Sequence, residues 1–199
     1  MKSTFATAAI AGFLAFAPAA GAVECDPGKA AAKLTHEEAR KVYDCIAADL
    51  HAGYMTGAKR WVPGGYVADY RNWTPVTTMP ASPGFHDGRF LMTWVNTVGA
   101  AEYMKYAEEG VNIPPGTVIA NETFEVTEKG KVKNGPLFIM EKVVLGVSPE
   151  TDDWFYMLVA PNGQPQAIPV ITDCSECHQG NFGHQGGLGY PAEDVRVKQ

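Results

Sequence analysis

Residues Cys174-Ser175-Glu176-Cys177-His178 put two thiols and an imidazole within five positions near the C-terminus, the C-x-x-C-H pattern of covalent c-type haem attachment. No other feature constrains the fold as much, because the chain around it has to accommodate a covalently held macrocycle. Each residue has a chemical reason to be there. The thiols add across the haem vinyl groups as thioethers, and the two-residue gap matches the vinyl separation. His178 follows directly and is placed under the ring as an axial ligand to iron. Two other uses of the pattern fit less well. A redox dithiol of the thioredoxin kind is expected near a βαβ pattern, and none is found. A zinc site needs a second thiol pair, and Cys25 and Cys45 are too far apart to form a C-x-x-C.

The other end of the chain reads as an export signal. Lys2 precedes an Ala-rich apolar stretch from Phe5 to Phe16, and Ala20-Gly21-Ala22 has the A-x-A form of a cleavage site. Residues 1–22 are therefore expected to be a signal peptide, with the mature protein beginning at Val23. The competing reading, a transmembrane anchor, calls for a longer apolar run. No later segment is apolar enough to span a bilayer. Haem attachment to C-x-x-C-H takes place outside the bacterial cytoplasm, so both ends of the chain imply a periplasmic location. The formal charge of −6 argues against nucleic acid and anionic lipid as partners. In an oxidising compartment, the two cysteines left over are expected to pair as Cys25–Cys45.

Thr35-His36-Glu37-Glu38 is a capping-box sequence, and Ala39, Val42, Tyr43, Ile46 and Leu50 recur at helical spacing until Gly53. Strands are predicted over 89–96, 116–127, 137–147 and 154–160, with a shorter one near 168–171 and a turn at Glu128–Lys131. A short helix is predicted over 100–109, and another starts at the haem motif. Strands joined by tight turns, with helices grouped at one end, describe an α+β domain on an antiparallel β-sheet. The organisation is a signal peptide (1–22), an N-terminal helical extension (23–60) and one haem domain (61–199).

Several fragments, in this order along the chain, resemble the cytochrome P460 family, which includes cytochrome c′-beta. They are Tyr70-Arg71-x-Trp73, His86-x-x-Arg89 before a strand ending at Asn96, Pro115-Gly116-Thr117-Val118-Ile119, a strand with Met140 and Lys142, Asp153-Trp154, the Asn162-Gly163 turn and the haem motif. The resemblance covers roughly residues 60–195. It implies a small, mainly antiparallel β domain, often a homodimer, with one haem c whose sixth position is open. Family members called cytochrome P460 oxidise hydroxylamine and carry a lysine–porphyrin link. The matching position here is Asn121, which cannot form that link, and Lys129 and Lys131 are several residues out of register. Cytochrome c′-beta members lack the link and bind nitric oxide on an apolar face.

The expected cofactor-binding residues are Cys174, Cys177 and His178, with Arg89 and Asn121 as further candidates. For Arg89 the alternative is an ion pair with a propionate or at the surface. Glu141 is the best available base if the chain is an enzyme. Among side chains able to close the sixth position, His86 is the best placed, since it lies in a loop before Arg89. Most methionines on strands are core filler, and His184 is too near His178 to reach the opposite face. Three functions remain open. The leading one is a cytochrome that binds a small gaseous or nitrogenous ligand, transfers electrons to a redox partner protein, or both. The others are a hydroxylamine oxidoreductase and a domain that haem merely stabilises.

Overall fold

The computed structural model describes residues 25–57 and 61–198. The expected signal peptide lies outside the described residues. Helix α1 (His36–Met55) begins at the predicted capping box. The Thr35 hydroxyl accepts the Glu38 N–H at 3.2 Å, and the Glu38 carboxylate accepts the Thr35 N–H at 2.9 Å. Its periodic apolar residues, extended by Tyr54, are all buried. The short helix α2 (Gly64–Asp69) follows.

Six antiparallel strands lie side by side in chain order: β1 (Thr74–Pro75), β2 (Phe90–Val95), β3 (Val118–Val126), β4 (Val132–Lys142), β5 (Trp154–Val159) and β6 (Pro165–Gln166). With helix α3 (Thr97–Tyr103) between β2 and β3 and helix α4 (Glu176–Phe182) after the sheet, the class is α+β. Alternation gives the sheet two faces. One face carries Phe90, Met92, Trp94, Ala120, Phe124, Leu137 and Ile139, which pack with α1 into the main core. The helix predicted as an extension is thus one layer of that core. On the other face, Val95, Ile119, Met140 and Trp154 pack with Tyr103, Ile113 and Leu188. The rest of that face borders a cavity.

Cys25 and Cys45 form the expected disulfide, with a Cα–Cα distance of 5.7 Å. It ties the first described residue to the middle of α1. No helix among the described residues is long and apolar enough to cross a membrane.

Three elements differ from their predicted bounds. The third long strand covers Val132–Lys142 rather than 137–147. A tight turn pairs Val126 with Val132, so the hairpin starts early, and beyond Lys142 the Asp153 carboxylate captures the backbone N–H groups of Gly146 and Ser148. That capture bends a β-branched run into a loop whose Leu145 is exposed. Helix α3 starts at Thr97 rather than 100 because Asn96 caps it, accepting the Gly99 N–H at 3.2 Å. Only Pro165–Gln166 pair at the sheet edge, and Val170–Ser175 form a π-helical turn instead of a strand. That turn leaves the sheet and leads the chain into the cysteine motif.

Candidate functional site

One cross-strand row forms the floor of the cavity. The register aligns Thr93, Asn121, Phe138, Leu158 and Gln166 on β2 to β6, and all five line the cavity. Met140 and Tyr156 extend this floor by one row. One wall is the Gly84–Arg89 loop. The other comprises α4 and the glycine-containing segment after it, including Leu188 and Tyr190. The volume is about 910 Å³, near the upper end of the range for ligand and cofactor sites.

Cys174, Cys177 and His178 all reach this cavity, as do Arg89 and Asn121. Glu141 is placed elsewhere. Its neighbours Ile139 and Leu137, which share its parity on β4, face α1, and on that side burial and then the Glu141 carboxylate raise the Tyr66 pKa. It does not line the cavity.

The histidine geometry is specific. His178 Nδ1 lies 2.6 Å from the Gly187 carbonyl oxygen. A carbonyl can only accept, so Nδ1 carries the proton and Nε2 keeps its lone pair. Burial lowers the His178 pKa, while the Gly187 bond opposes that shift. Metal-bound imidazoles characteristically donate their second nitrogen in this way.

The thiols do not resemble those of a redox dithiol. Both are free, and burial, then Asp173, then Cys177 push Cys174 up to about 11. Reactive dithiols need a depressed pKa. Among the described residues, no group of three or more His, Cys, Asp or Glu side chains could hold a metal ion, so a tetrahedral zinc centre lacks its ligands. The donor set does fit a covalent haem, since two free thiols and one oriented imidazole line a mostly apolar cavity.

Asn121 sits mid-floor, its carbonyl oxygen accepting from the Thr93 hydroxyl at 2.7 Å. Arg89 both lines the cavity and makes an ion pair. Its Nη1 donates to Asp87 at 2.8 Å and to the His86 carbonyl at 2.9 Å. Those bonds pin a turn in which His86 (φ 55°) and Asp87 (φ 57°) are both left-handed. The His86 ring packs 4.6 Å from Phe138, and burial, then the nearby His178, pull its pKa down to about 4. Phe138 and Tyr156 escaped the sequence reading, although their alternation with Leu137, Ile139 and Met157 was available to find them.

No family model matches the chain, and no curated protein matches it significantly.

Proposed function

We propose that this chain is a periplasmic mono-haem c-type cytochrome with a P460-like fold, its haem held by Cys174 and Cys177 with His178 as axial ligand. The carrying observation is that the three motif side chains converge on one apolar cavity, with His178 Nδ1 committed to Gly187 so that Nε2 is free for a metal. Haem bound there supplies one-electron redox chemistry and a coordination position for a small ligand such as nitric oxide.

The protein's own residues would do the rest. The Gly187 carbonyl fixes the ring orientation and tautomer of His178 and raises its basicity. Phe138, Leu158 and Met140 keep water from the floor. Asn121 offers an amide where a lysine amine would be needed for a second covalent link. Exchange of electrons with a redox partner protein and binding of small gaseous or nitrogenous ligands both suit such a site. The enzymatic alternative, hydroxylamine oxidation, gains no support, because Glu141 lies on the far side of the sheet from the cavity.

The test is expression with c-type haem maturation machinery, then haem staining of a denaturing gel and an intact mass. One covalent haem is expected, lost when Cys174 and Cys177 are both replaced by Ser. An unmodified mass under those conditions refutes the reading.

A further inference from the structure

We propose that His86 is the second axial imidazole of this site, closing the sixth position at rest and giving way to incoming ligands. This inference rests on the haem reading above and refines it, since the resemblance alone implies an open position. The first argument is distance. The His86 and His178 ring centres are 6.2 Å apart across the cavity. Two metal–imidazole bonds of about 2 Å each, plus the offsets from each ring nitrogen to its centre, span about 6 Å.

The second argument is availability. His86 Nδ1 is buried and has no hydrogen-bond partner. With Nδ1 sealed away from solvent, Nε2 is the ring nitrogen left to meet a ligand in the cavity that His86 lines.

The third argument is conformational. His86 and Asp87 are consecutive non-glycine residues in the left-handed region, a costly arrangement that persists only where the surroundings impose it. Arg89 imposes it by bonding the His86 carbonyl and the Asp87 carboxylate together. The arrangement turns the His86 ring inward, against Phe138.

Competing ligands are badly placed. Met140 and Met157 also border the cavity but are packed into the two core clusters, and His184 faces Glu108 at 3.9 Å on the surface. The same features make the His86 bond breakable. The Phe85–Gly88 turn buries none of its own residues in the core, and opening it would relieve the left-handed backbone. A gas or small nitrogen compound would therefore compete with His86 rather than find a vacant site.

The experiment uses purified holoprotein, shown first by haem stain to carry covalent haem. Ferric electron paramagnetic resonance and reduced-minus-oxidised absorption should report a low-spin, six-coordinate centre. In His86→Ala the centre should become high-spin, added imidazole should restore the low-spin spectrum, and carbon monoxide should bind at least about tenfold faster. In His86→Met a methionine-ligated low-spin spectrum is expected. A high-spin wild type overturns the proposal without any variant, as does a His86→Ala spectrum identical to wild type. In both cases covalent haem is still present, so the cytochrome reading survives. A wild type with no covalent haem refutes both.

Discussion

Glu122 is fully buried between α1 and the sheet, where its carboxylate accepts from the Tyr43 hydroxyl at 2.9 Å and from the Arg71 guanidinium at Nε (3.2 Å) and Nη2. Burial raises the carboxyl pKa, opposed by Arg71 and Tyr43. Glu122→Gln keeps the volume but removes the charge, and its NH2 group cannot pair with the Arg71 guanidinium, which can only donate. Breaking a buried ion pair typically costs about 3–5 kcal/mol. The Arg71 side chain is one-quarter exposed, so water recovers part of that and the expected loss is about 3 kcal/mol. For a domain of this size the thermal midpoint should fall by about 6–12 °C. Thermal and urea unfolding followed by circular dichroism would measure it. The double variant Glu122→Leu with Arg71→Met leaves no stranded charge and should return to within about 1 kcal/mol of wild type. A Glu122→Gln loss below about 1 kcal/mol, or a double variant weaker than the single one, would refute the reasoning. The proposed haem site should survive in the folded fraction, because the network and the cavity are on opposite faces of the sheet.

Two further outcomes are expected. Replacing Cys25 and Cys45 together by Ala opens a 20-residue loop and should cost about 3 kcal/mol in urea unfolding, with the proposed haem attachment unaffected. Glu38, held down to about 2 by the Lys29 ammonium and the Thr35 N–H, has a folded pKa below its ordinary value of 4.5. Its contribution is therefore complete above about pH 5 and disappears as pH falls toward 2. The gap in thermal midpoint between wild type and Glu38→Gln should follow that course, and a gap independent of pH would contradict it.

Much of this architecture could be read from local patterns. The Thr35–Glu38 box and the spacing from Ala39 to Leu50 located α1, since capping and periodicity act within a few residues. The turn at Glu128–Lys131 located the hairpin of β3 and β4, and C-x-x-C-H marked the wall of the cavity. Failures came where a distant contact decides. Alternation shows that Met140 and Glu141 point to opposite faces but not which face meets the cavity, and that depends on where α1 docks. The run from Val143 to Val147 has strand composition, yet Asp153 bends it into a loop. The left-handed His86 has no sequence marker, because nothing in an isolated His-Asp pair favours positive φ. Glu122 did leave a sign, since its strand parity with Ala120 and Phe124 places a carboxylate on an apolar face, where it is expensive without a partner.

Asn121 and Glu122 are neighbours in the chain, yet one faces the cavity and the other the core under α1. A slip of β3 by one residue would exchange them. It would place an anion on the cavity floor and leave the Arg71 guanidinium facing an amide. The buried ion pair thus works as a latch on strand alignment: whether an amide or a carboxylate is presented to a guest in the cavity is decided from the opposite side of the sheet.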